Sequence, residues 1–141
     1  MTRVKVGAIL GLIGSTVFLI AGLFTIAQSR LFYYPPGDPM AVPISIFYIT
    51  GIANIALGSV GIVGVVLAFR DINIAGYILL LVAGAAGIVG TFIPIYIRDD
   101  GYGWITFYYL CATALYGDLI LMVIGGILGF ALAPKKGRPD Y

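Results

Sequence analysis

Apolar residues in this chain come in long continuous runs, with neither the strict alternation of a half-buried strand nor the narrow stripe of a surface helix. The runs predict helices over about 4–30, 44–69, 72–97 and 105–133. Each has the roughly 20 residues needed to cross about 30 Å of hydrocarbon. Backbone groups in lipid must bond within their own segment, so continuous apolar runs are read as helices. The expected fold is an all-α integral membrane protein, a four-transmembrane-helix bundle forming a single membrane domain over residues 1–141. Outer loops are expected at 31–43 and 98–104, and a basic tail at 134–141.

The punctuation between the runs agrees with this division. Pro43 stands at the first turn of the second helix, where a missing N–H does no harm. Arg70-Asp71-Ile72-Asn73 makes a tight turn into the third helix, with Asp71 or Asn73 as its N-cap. Pro94 falls inside the third run and is expected to kink it. Pro134 stops the fourth. The first run follows Arg3 and Lys5 like a signal peptide, but its apolar stretch exceeds an h-region of 7–15 residues and is expected to be retained.

Charge adds an orientation. Arg3, Lys5, Arg70, Lys135, Lys136 and Arg138 fall on one side of the predicted topology, and Arg30 and Arg98 on the other. By the positive-inside rule both the N and C termini are cytoplasmic, in a multi-pass protein of the plasma membrane. The basic tail can bind anionic lipid headgroups at that face. Arg30 and Arg98 close their helices where cations complement the dipole.

Composition supports the same solvent: 61% of the 141 residues are hydrophobic and 10% charged, against about half and about a quarter in soluble domains. A net charge of +2 gives no support to nucleic-acid binding. The chain has no His and no Glu, which removes His-ligated haem, His-bearing zinc sites, Ser-His-Asp triads and Glu bases. Its single cysteine, Cys111, lies in an apolar run and reads as a small buried hydrophobe. Neither an enzymatic centre nor a bound cofactor is expected.

Two features describe how the helices relate. Aligning 6–30 with 74–98 sets Gly22 on Gly90 and Arg30 on Arg98; aligning 53–64 with 117–128 sets Asn54 on Asp118 and Gly61 on Gly125. This is a weak repeat, either chance likeness of apolar helices or two tandem helical hairpins about an axis along the membrane normal. The chain also holds 20 glycines, most inside the spans. Gly7, Gly11, Gly58, Gly61, Gly87, Gly90, Gly125 and Gly129 are the expected helix-packing positions, because small residues let backbones approach where lipid supplies no hydrophobic drive. They occupy more than one face of most helices, so they serve either the bundle itself or outside partners.

Polar groups at depth are few. Asp118 is expected near the middle of the fourth span, with Asn54, Ser15 and Thr16 at similar depth as an intramembrane polar cluster. An aspartate there costs about 2.5–3.5 kcal/mol on insertion scales, so it should face protein or water. With no second acid, His or Lys beside it, helix gluing is a better reading than proton relay. Twelve of the 19 aromatic residues fall in 31–48 and 92–109. Among them Phe32, Tyr33, Tyr34, Trp104, Tyr108 and Tyr109 form an expected outer surface for lipid anchoring, partner docking, or contact with a lipid headgroup or quinone.

The functional expectation is a non-catalytic accessory or structural subunit of a larger membrane complex, such as a respiratory or other oxidoreductase assembly, with other integral membrane subunits and lipids as partners. The alternative is a small oligomeric transporter or channel component with a midplane site at Asp118 and Asn54.

Overall fold

The computed structural model describes residues 3–31, 44–70, 73–92, 95–99, 103–107 and 117–132. Four helices are present: α1 (Arg3–Leu31), α2 (Ile44–Phe69), α3 (Asn73–Thr91) and α4 (Gly117–Leu132). α1 packs on α2, α2 on α3, α3 on α4 and α4 on α1, so the four form a closed ring of neighbours. Gly7 faces Gly125 and Gly129, and Gly76 faces Gly64 and Ala68. The start of α1, the α2–α3 turn and the end of α4 therefore share one end of the bundle, the terminal end.

Three helices contain spans long and apolar enough to cross a membrane, at Lys5–Gln28, Phe47–Phe69 and Ile74–Thr91. α4 is equally apolar but has 16 residues, about 24 Å at 1.5 Å per residue. The radial distribution of side chains is compatible with lipid surroundings. Large aliphatic and aromatic groups point outward from every helix, among them Val17, Ile20 and Phe24 on α1, Val63 on α2, Val82 and Val89 on α3, and Ile127 and Phe130 on α4. The interior takes small residues, with two clusters of larger ones. Ala8, Val65, Ala68, Tyr77 and Leu80 fill the terminal half. Phe18, Ala83, Leu119 and Met122 fill the middle.

The first two helices match their expected bounds within a residue. The third and fourth do not. α3 stops at Thr91 instead of continuing through a kink to 97. A proline lacks the N–H a helix needs and disfavours helical geometry in the residue before it, which accounts for an end short of position 94. The last turn tightens ahead of it: the Phe92 N–H donates to the Val89 carbonyl at 3.0 Å, and the Thr91 hydroxyl to the Gly87 carbonyl at 3.0 Å. Beyond it the chain forms a hairpin in place of a helix end, a loop and a helix start. β1 (Ile95–Asp99) pairs antiparallel with β2 (Gly103–Phe107), Ile97 opposite Ile105 and Arg98 opposite Trp104. Both segments are rich in β-branched and aromatic residues, and Asp100-Gly101 between them is a strong hairpin signal. The ribbon follows the end of α3 and so marks the other end of the bundle, the hairpin end. α4 accordingly starts at Gly117, twelve residues after the expected 105.

Candidate functional site

The helices meet through backbone, and glycine is what permits it. A Cβ built on Gly125 would lie 2.6 Å from the Gly7 carbonyl oxygen and 2.7 Å from the Gly11 nitrogen. Across the α1–α2 seam, a Cβ on Gly22 would stand 2.8 Å from the Gly51 carbonyl oxygen, and one on Gly58 2.9 Å from the Leu19 nitrogen. Gly64 and Gly76 oppose one another on α2–α3, and Gly126 meets the Leu81 backbone on α3–α4. Gly11 is filled against by Leu80, Gly87 by Leu119, Gly61 by Ser15 and Met122, and Gly129 by the Tyr77 ring. Of the expected packing glycines, Gly7, Gly11, Gly58, Gly61, Gly87, Gly125 and Gly129 thus all meet another helix of the same bundle, and Gly90 is buried. Gly14, Gly76, Gly84 and Gly126, which the sequence spacing does not single out, also meet a neighbouring helix.

Asp118 is the main correction among the polar residues. It lies in the first turn of α4, not mid-helix, because α4 begins one residue before it. There its Oδ1 accepts the Leu119 N–H at 2.9 Å, one of the amides that a helix start leaves unbonded. It is 5% exposed. Its carbonyl oxygen lies 2.5 Å from where a Gly14 Cβ would stand. Gly14 is twelfth of the 29 residues of α1, so the first turn of α4 lies against the middle of the bundle.

Ser15 sits at this same level, its hydroxyl against Gly61. Asn54 does not join it. The Asn54 side chain packs on Gly22, its Cβ 2.9 Å from a Cβ built there. Gly22 is seven residues beyond Ser15, about 10.5 Å along the helix. Thr16 is only half-buried. The expected four-residue cluster is therefore two levels: Ser15 and Asp118 at mid-bundle, and Asn54 two turns toward the hairpin end. Ser15 and Asn54 are both 0% exposed, and neither the Ser15 Oγ nor either polar atom of the Asn54 amide has a hydrogen-bond partner among the described residues. Such groups are rare and each asks for an explanation.

Two apolar hollows lie along the α3–α4 seam. One of about 240 Å³ is lined by Ile88, Thr91, Phe92 and Ile120. The other, of about 210 Å³, is lined by Tyr77, Ile78, Leu81 and Phe130. Among the described residues no group of three or more His, Cys, Asp or Glu side chains is placed to hold a metal. Of the expected aromatic surface, Trp104 is in β2, while Phe32, Tyr33, Tyr34, Tyr108 and Tyr109 lie outside the described residues, as does Cys111.

No protein-family model matches the chain, and no curated protein or solved structure is significantly similar to it.

Proposed function

We propose that this chain is a non-catalytic integral subunit of a larger membrane assembly, such as a respiratory or other oxidoreductase complex, with both termini cytoplasmic in the plasma membrane. The observation that carries the reading is the bundle's exterior. Large apolar side chains stand outward on all four helices, so the protein's neighbours are lipid tails or the transmembrane helices of other subunits. The sequence also lacks His and Glu, which leaves little means for chemistry of its own. Glycine ridges no longer argue for outside partners, because they are used between the bundle's own helices. An interface on this protein would be made of its branched aliphatic surface. The test is extraction of native membranes in mild detergent. The expected result is a particle larger than the monomer that holds a second integral protein; a lone, monodisperse monomer overturns the reading.

A second reading is favoured by one observation, the buried polar atoms of Ser15 and Asn54 that the described residues leave unbonded. On this reading the chain is a component of a small transporter, with Asp118 and Asn54 in its path. Asp118→Asn then abolishes proton-coupled flux in liposomes while the protein still folds. Unchanged flux in the variant, or none in the parent, ends it.

A further inference from the structure

The two hollows on the α3–α4 seam are alike in size, about 210 and 240 Å³. Each is bordered by exposed apolar walls, Ile78 and Phe130 in the first, Phe92 and Ile120 in the second. On α3 both lie on one face, since Ile78, Leu81, Ile88 and Phe92 are set apart by helical spacings. They differ in depth. Ile78 and Leu81 stand about 8 and 12 Å from the start of α3, and Ile88 about 22 Å. One leaflet supplies about half of the roughly 30 Å of hydrocarbon. The first hollow is therefore at the depth of acyl chains that enter from the terminal end, and the second belongs to the opposite leaflet. The ends of the seam also differ in charge. At the terminal end the exposed Arg70 comes three residues before α3, and Lys135 and Lys136 follow α4 within four residues, with Asp71 the one acid in these stretches. At the hairpin end the chain between α3 and α4 carries Arg98, Asp99 and Asp100 as its only charges.

We propose that the hollow lined by Tyr77, Ile78, Leu81 and Phe130 holds an acyl chain of an anionic phospholipid, whose phosphate sits at the terminal mouth of the seam beside Arg70 and the start of the basic tail. The walls are apolar, so the guest inside is hydrocarbon, and an empty hollow would forfeit the dispersion contacts that a flexible chain supplies. The depths agree with one lipid molecule. The polar layer of a bilayer is about 5–8 Å thick on each side, close to the distance from the start of α3 down to Ile78. The mouth then selects the headgroup, because cations near a membrane surface favour anionic lipid. A second copy of the chain suits this place less well. A twofold axis along the membrane normal would set the same patch against itself and bring Arg70 and the tail lysines toward their own counterparts, whereas a phosphate neutralises them. The hairpin hollow is the built-in comparison. Its walls are equally apolar, but two acids stand against one cation at its end of the chain, and it takes a chain without regard to headgroup. The proposal rests on the membrane-embedded reading of the bundle and adds to it a place and a lipid class.

The experiment uses the full chain in a Trp104→Phe background, with one tryptophan placed by Phe130→Trp or by Phe92→Trp, conservative changes in the walls of the terminal and hairpin hollows. Each protein is reconstituted in phosphatidylcholine vesicles that contain a graded fraction of either brominated phosphatidylcholine or brominated phosphatidylglycerol, and quenching of the tryptophan fluorescence is followed. In Phe130→Trp, phosphatidylglycerol should quench at a mole fraction on the order of fivefold lower, the factor that one basic contact supplies. The preference should shrink in high salt and vanish when Arg70→Gln, Lys135→Gln and Lys136→Gln are combined. In Phe92→Trp the two lipids should quench alike. Equal quenching in Phe130→Trp overturns the proposal while leaving the bundle in lipid. Quenching in Phe92→Trp with none in Phe130→Trp overturns it in favour of a protein neighbour on the seam. A preference that survives the triple substitution overturns the place given to the phosphate. No quenching of either tryptophan by either lipid overturns the membrane reading, and the proposal with it.

Discussion

At the scale of single residues, the controlling fact is that several side chains are absent so that main chains can touch. Gly125→Leu places a branched group where a Cβ already meets the Gly7 carbonyl at 2.6 Å and the Gly11 amide at 2.7 Å. Overpacking of this kind typically costs about 1–3 kcal/mol, and the neighbour here is backbone, which cannot rotate away. Thermal melts in detergent should show a clear fall in Tm for Gly125→Leu. Gly117→Ala is the matched control: among the described residues nothing beyond its own neighbours in the helix lies within 4 Å of its added Cβ, and its Tm should hold or rise. The opposite defect is available at Phe18, fully buried in the central cluster. Phe18→Ala should destabilise by about 3–5 kcal/mol, read as a lower midpoint in denaturant titration; a change below about 1 kcal/mol would mean that this core is not packed as described.

At the scale of elements, Pro94 decides where α3 ends. Pro94→Ala restores an N–H and frees Ile93 for helical geometry, so residues 93–97 should shift toward helix at the expense of the β1–β2 pairing. Backbone chemical shifts of Ile95–Asp99 report this directly, and unchanged strand values would assign the helix end to the hairpin instead. This region also shows what the sequence could and could not convey. The helices at Arg3–Leu31 and Ile44–Phe69 were legible because continuous apolar runs in lipid have one backbone solution. The hairpin was hidden because Ile95, Tyr96, Ile97, Trp104, Ile105 and Phe107 are as apolar as a helix end, and hydropathy carries no period for so short a strand. Their β-branched and aromatic character around Asp100-Gly101 was the available signal. The displacement of Asp118 to a helix start follows from the same miss. That Ser15 and Asn54 face the interior was readable from the penalty for polar groups in lipid. Their separation by two turns was not, since it depends on how α1 and α2 slide past one another to seat Gly22 on Gly51.

At the scale of the whole molecule, outside and inside have exchanged roles relative to a soluble bundle, and this gives a discriminating substitution. Val17 is 49% exposed on α1. In water, Val17→Asp would be nearly silent; at the centre of a bilayer a charge costs about 2.5–3.5 kcal/mol on insertion scales. Membrane-integrated yield, measured after alkaline carbonate extraction, should drop sharply, and an unaffected yield would argue that no hydrocarbon surrounds this face. The interlocked glycines have a last consequence, for insertions of sequence. One alanine added after Leu121 lengthens α4 by a single apolar residue, so hydropathy and the partitioning it governs barely register the change. Yet it turns everything downstream by about 100°, carrying Gly125 and Gly129 away from α1 and presenting Ile124 and Leu128 in their stead. Such a protein would enter the bilayer on schedule and then fail to assemble, so entry and assembly would part company at a single codon.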